Sequence, residues 1–171
     1  MISLDFITLK AFFEENKEFF CGARVQKIQQ PTRRDFVLSI RGKQETRKLY
    51  INIDPQVYHL CFINEETAKK RHITIPQKPP MFCMLLRKHL EGFRITRVNV
   101  PPYERIFEIF FESYNELNEK INLCLAIELM GKYSNVILYN DSTKTIIGCA
   151  HNVGSEKSRD RELSGTMPYV Y

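Results

Sequence analysis

From Lys120 to Met130 the chain alternates without interruption: Ile121, Leu123, Leu125, Ile127 and Leu129 fall on one side, and Lys120, Asn122, Cys124, Ala126, Glu128 and Met130 on the other. Such a period of two fits a β-strand with one face turned to a core and fits no helix. A single strand buries too little to be stable, so this segment requires a sheet. Partners can be read from the same signal. Phe36, Leu38 and Ile40 alternate with Val37, Ser39 and Arg41, and Leu49, Ile51 and Ile53 alternate with Tyr50 and Asn52. Shorter strand patterns lie at residues 25–29, 58–63, 95–100, 105–113, 136–139 and 145–150. Turn residues separate them: Gly42-Lys43 opens one hairpin, Asp54-Pro55 breaks the next connection, and Asn140-Asp141-Ser142 makes a further turn.

Two segments carry a helical period instead. Between Asp5 and Phe20, Phe6, Leu9, Phe13 and Phe20 share a stripe flanked by Phe12 and Phe19; Ser3 or Asp5 can cap, and Gly22 terminates. So many phenylalanines on one helix mean packing on a core. The second segment, PPMFCMLLRKHLEG from Pro79 to Gly92, marks both its ends, with Pro80 in the first turn and Gly92 where a left-handed residue is wanted. Phe82, Leu85, Leu86 and Leu90 share a face, while Met84, Arg87, Lys88 and Glu91 lie on the polar side. His89 falls in the apolar arc, where a core histidine is the ordinary case. The stretch between Asn64 and Pro79 reads as a polar, basic loop.

Antiparallel strands with two main helices predict an α+β domain on a β-sandwich or barrel-like core. The 171 residues suit a single domain, 43% of them apolar and 26% charged. The core is expected over about residues 3–153, with a polar tail over about 154–171. No apolar run approaches the roughly 18 residues that span a bilayer, and the first residues lack the pattern of a secretory signal, which together predict a cytoplasmic protein away from membranes. Five cysteines at scattered spacings with no CxxC argue for reduced core or strand residues rather than a disulfide framework or a zinc site.

The net charge of +5 is unevenly distributed. Residues 24–48, which include Arg33 and Arg34, hold eight Lys or Arg against Asp35 and Glu45, a local +6; residues 69–97 hold eight against Glu91, a local +7, leaving −8 elsewhere. An electropositive surface of this kind suits a polyanion, although such residues also solvate hairpins and loops.

Enzyme chemistry is not visible. The seven glycines form neither GxGxxG nor GxxxxGK[ST], the four histidines form no HExxH, and Ser113, Ser134 and Ser155 lack a nucleophile elbow. No catalytic residue, metal or cofactor is therefore expected. Glu108 and Glu112 share one strand face and read as exposed carboxylates rather than an acid/base pair.

Two constellations suit nucleic acid. In Pro101-Pro102-Tyr103-Glu104-Arg105 a rigid double proline fixes where Glu104 and Arg105 emerge, offering a carboxylate to a base amino group or ribose hydroxyl and a guanidinium to phosphate. A plain surface ion pair is the alternative. In Glu128-Leu129-Met130-Gly131-Lys132-Tyr133-Ser134-Asn135, Gly131 ends the alternating strand, and Lys132, Tyr133, Ser134 and Asn135 make a polar corner that is either a simple turn or a tip that stacks on RNA and contacts phosphate. Arg87 and Lys88 could add supporting phosphate contacts.

PPMFCMLLRKHLEG and ELMGKYSNVILYN, together with the first helix, GARVQKIQQP and a looser SRDREL…G…Y, resemble the N-terminal NFACT domain of the fibronectin-binding protein A / RqcH ribosome quality-control family over essentially the whole chain. The resemblance implies a fold similar to the N-terminal domain of formamidopyrimidine-DNA glycosylases. Their chemistry is not implied, because they attack with an N-terminal proline followed by glutamate and this chain begins Met1-Ile2-Ser3. It further implies a module of a longer factor, whose later domains are absent from this chain. Such factors bind the large ribosomal subunit with an obstructed peptidyl-tRNA and recruit tRNA for template-free tailing. The family's Asp-Arg pair aligns with Glu104-Arg105, and its GxHSN reads GKYSN here, with Tyr133 in place of histidine. The old family name carries the alternative of a surface adhesin that binds fibronectin.

Overall fold

A computed structural model describes residues 5–151 and 168–169. Met1–Leu4, which hold the chain start and the Ser3 cap, and the SRDREL segment lie outside the described residues. Helix α1 runs Phe6–Phe20, followed by strands β1 Arg24–Thr32, β2 Asp35–Arg41, β3 Thr46–Asn52 and β4 His59–Ile63. Helices α2 Glu65–Lys70 and α3 Met81–Leu90 come next, then β5 Arg94–Asn99, β6 Ile106–Tyr114, β7 Lys120–Glu128, a 3₁₀ turn Gly131–Tyr133, β8 Asn135–Asn140 and β9 Ile146–Cys149.

Both long helices end as their sequences direct. Asp5 caps α1, its carboxylate accepting from the Thr8 amide at 2.7 Å. Gly22 and Gly92 follow the helices at φ 84° and 86°, the left-handed region where a side chain is strained. Helix α2 falls in the segment read as a loop. Asn64 accepts from the Thr67 amide at 2.8 Å, with Glu65 and Glu66 in the first turn and Lys69 and Lys70 in the last. This short element is held by its cap and its dipole charges and has no buried residue, so no apolar period announces it.

All nine strands form one antiparallel sheet in the order β4-β3-β2-β1-β5-β6-β7-β8-β9. Its two halves join around Arg24 and Arg94, where Ile95 and Ala23 also share a backbone bond. They share one apolar cluster, containing Ile28, Phe36, Leu38, Leu49 and Ile51 from one half and Ile95, Phe107, Ile109, Leu125, Ile127 and Leu138 from the other. The helices span that core. From α1, Phe20 packs on Phe62 of β4 and on Phe107 of β6, with ring centroids 5.7 and 5.5 Å apart. From α3, Phe82 meets Phe36 of β2, and Leu85 lies close to Gly148 of β9.

Helix α3 also serves the free edge of β1. Arg87 Nε donates to the Ile28 carbonyl at 2.8 Å, and Glu91 accepts from the Ile28 amide at 3.1 Å. Two side chains thus do what a neighbouring strand would do. His89 is half-buried; its carbonyl accepts from Ser113 Oγ at 3.0 Å, which accounts for that buried serine.

Glu108 departs from the sequence reading. It is 1% exposed, taking Asn99 Nδ2 at 2.9 Å and Tyr139 Oη at 3.3 Å, while Glu112 pairs with Arg94 and Lys120. The outer face of β6 to β9 is covered, because Pro168 returns to pair with Thr145 and Tyr169 stacks on Tyr139 at 4.2 Å. Tyr169 Oη donates to the buried Glu128 at 2.7 Å. Part of the segment read as a polar tail is therefore core. All five cysteines are free thiols, and Cys21 at the end of α1 is exposed rather than buried.

Candidate nucleic-acid interface

Strand pairing decides which loops meet. Asp35 opposes Asn52, and Asn52 opposes His59, so the turn at Arg33-Arg34 and the loop at residues 53–58 leave one half of the sheet at the same end. In the other half, Ile106 opposes Glu128 and Glu128 opposes Asn135, which brings the Pro101–Arg105 loop beside the Gly131–Tyr133 corner. Hydrogen bonds tie these loops into one rim. The Ile53 amide donates to the Arg34 carbonyl at 2.7 Å, Arg105 Nη1 donates to Tyr58 Oη at 3.1 Å, and the Leu129 amide donates to the Arg105 carbonyl at 2.9 Å.

Glu104 and Arg105 do not form the surface ion pair that the sequence leaves open. Arg105 is held by Tyr58, its guanidinium 5.8 Å from that ring, and Glu104 has no side-chain partner among the described residues. The two charges are therefore held separately, each half-buried at the end of the loop. Arg34 pairs with Asp54 at 3.3 Å, whereas Arg33 is exposed at the tip of its turn.

The polar corner divides in two. Lys132 and Tyr133 are exposed, with the ammonium 5.1 Å from the tyrosine ring. Ser134 and Asn135 are buried and occupied: Ser134 Oγ accepts from the Met130 amide at 3.0 Å, and Asn135 Oδ1 accepts from Val136 and His151 amides while its Nδ2 donates to the His151 carbonyl. The sequence reading assigns both residues to RNA contact. The fold takes them inside, because a chain that leaves β7 and enters β8 must satisfy its turning backbone.

Arg87 and Lys88 are not brought to this rim. Arg87 is bound to Ile28 and lies 3.7 Å from Glu91, and α3 ends where Gly92 bonds Val25, toward the opposite end of β1. Several cations counted in the basic stretches are likewise engaged. Arg47 lies over Phe19 and donates to Asn16, Arg71 donates to His59, and Arg97 lies 3.7 Å from the Phe110 ring centroid.

Tyr58 and Tyr103 escape a reading of individual residues. Tyr58 sits in a stretch read as strand, and only the tertiary fold places Arg105 next to it. Tyr103 is marked in the sequence only as the residue that follows two prolines. Burial raises the Tyr139 and Cys124 acid groups above their ordinary values, so Tyr139 stays protonated and donates to Glu108. That cluster is structural and lies off the rim. No helix among the described residues is long and apolar enough to cross a membrane.

Comparison with known proteins agrees with this architecture. A family model described as NFACT N-terminal and middle domains matches residues 5–171. The Rqc2 homolog RqcH of Bacillus subtilis is 33% identical over 165 residues, which cover 96% of this chain and 28% of that protein. Among solved structures, the N-terminal part of the fibronectin/fibrinogen-binding protein of Streptococcus suis superposes with a TM-score of 0.89 at 30% identity, over 99% of this chain and 61% of that one. The N-terminal domain of fibronectin-binding protein PavA of Streptococcus pneumoniae gives 0.88 at 29% identity, over 98% and 61%. The chain thus spans under a third of the RqcH relative.

Proposed function

Because the chain belongs to the family of NFACT N-terminal and middle domains, we propose that it is the RNA-facing module of a ribosome quality-control factor, binding tRNA and the obstructed large ribosomal subunit from the rim described above. One observation supports the reading: the Leu129 amide bonds the Arg105 carbonyl, which brings the chain entering the Lys132-Tyr133 corner beside the Glu104-Arg105 loop, although these segments are far apart in sequence. Arg33, Arg105 and Lys132 supply phosphate contacts there, Glu104 a hydrogen-bond acceptor, and Tyr133 a stacking face. The module works by binding rather than by catalysis, in the cytoplasm and without a cofactor. Its fold is related to the glycosylase N-terminal domain without that reaction, so borohydride trapping on damaged DNA yields no covalent adduct.

The test uses the full-length protein. Sedimentation with large subunits and filter binding with tRNA should show association that weakens steeply with salt and is reduced by Arg105→Glu; absent or salt-insensitive binding refutes the proposal. Tailing of obstructed chains, read separately, tells whether Glu104 performs the role of the family's aspartate. The names of the two streptococcal structures favour a second reading, fibronectin binding. Protease shaving of intact cells and capture on immobilised fibronectin decide it.

A further inference from the structure

The double-proline loop presents one side chain that the reading above does not use. Tyr103 is 89% exposed and adopts φ 63°, in a turn closed by the Glu104 amide donating to the Pro101 carbonyl at 3.1 Å. Its place is the third residue of a four-residue turn with proline second, where a positive φ calls for glycine or asparagine. An aromatic residue there costs stability, and hydrophobic burial does not repay it at this exposure. The ring is nonetheless placed. Phe6, the first residue of α1, lies 5.7 Å away at 36° and backs it from one side, while Arg105 emerges two residues later and Lys132 stands on the adjoining corner.

We propose that Tyr103 is a stacking platform for an unpaired base of bound RNA, with the adjoining phosphates held by Arg105 and Lys132. This rests on the RNA-binding reading. A flat, solvent-facing aromatic ring on a loop that continues into Arg105 matches the pairing of base stacking with phosphate neutralisation that single-stranded nucleic acid requires. Apolar groups lie on the Phe6 side of the ring, with Ile7 exposed next to Phe6, while Glu104 and Arg105 follow the ring in the loop, and that charge favours RNA over a protein partner of ordinary interface character. Proline at both preceding positions limits the freedom lost when a base docks.

The chain contains no tryptophan, so Tyr103→Trp creates a fluorophore at the platform against a background without one in this module. Wild type, Tyr103→Trp, Tyr103→Gly and Arg105→Glu are titrated at low salt with single-stranded polyadenylate and with blunt duplex RNA, and their thermal midpoints are recorded. The expected result is that polyadenylate quenches the emission of the introduced indole, that Tyr103→Trp binds as the wild type does, and that Tyr103→Gly binds about tenfold more weakly. The glycine variant should melt no lower than wild type, because glycine relieves the positive φ, and that excludes misfolding as the cause. Unaltered affinity in Tyr103→Gly, or equal preference for duplex and single strand, overturns the platform. If Arg105→Glu weakens binding while Tyr103→Gly does not, the platform alone fails; if the wild type binds neither RNA, the underlying reading fails with it.

Discussion

Arg87 and Arg105 bear the same guanidinium and are held in opposite ways. The first is bonded to a strand carbonyl and set against Glu91, and the second is steadied by Tyr58 and half-buried at a rim. Removing Arg87 leaves the Ile28 carbonyl with only the weak Cys83 thiol donor at 3.7 Å, so Arg87→Ala should lower stability by about 1 kcal/mol in chemical denaturation and leave RNA binding unchanged. Arg105→Ala should do the reverse, changing stability by less than about 1 kcal/mol while weakening binding and flattening its salt dependence. His89 gives a pH signature. Burial, aided by Lys88, lowers its pKa below the ordinary 6.5, so the folded state holds fewer protons than the unfolded one in that window. Its contribution is complete above about pH 6.5 and declines as the pH falls toward the lowered value. Denaturation midpoints should therefore decline on acidification through that range, and His89→Leu should remove part of the decline.

Among the elements, α1 matters most to closure, because its phenylalanines join β4 to β6 across the shared core. Phe20 is fully buried, and Phe20→Ala should cost about 3–5 kcal/mol, measured by urea unfolding, with no local relief from either sheet half. Helix α3 shows how an amphipathic pattern can be read correctly and assigned incompletely. Its apolar face packs as the wheel requires, with Cys83, Leu86 and Leu90 buried. Its polar face is partly the hydrogen-bonding partner of β1, which no wheel indicates, since charge on a helix surface looks the same whether it meets water or a bare strand edge.

For the whole molecule, the returning C-terminal residues extend the core over the outer face of β6 to β9. Tyr169→Ala should destabilise by about 3 kcal/mol in the same denaturation assay, since it removes both the stack on Tyr139 and a donor to the buried Glu128. Strands, helix ends and the α+β class were legible in the sequence because they depend on local periods of 2 and 3.6 and on caps: the alternation at Lys120–Met130, Asp5 before α1, Gly92 after α3. Local sequence also identified Glu104-Arg105 and Lys132-Tyr133 as polar loop tips. Long-range pairing settled everything else. Whether Glu108 faces water, whether Ser134 and Asn135 are free, and whether Arg34, Arg87 and Arg105 have partners all depend on residues that only the fold brings near. The sequence by itself thus determined the strands, the two long helices and the chemistry available at their ends, while the tertiary structure alone decided which ends share a rim. Hydrogen-bond register is a property of two strands together, and no single strand encodes it.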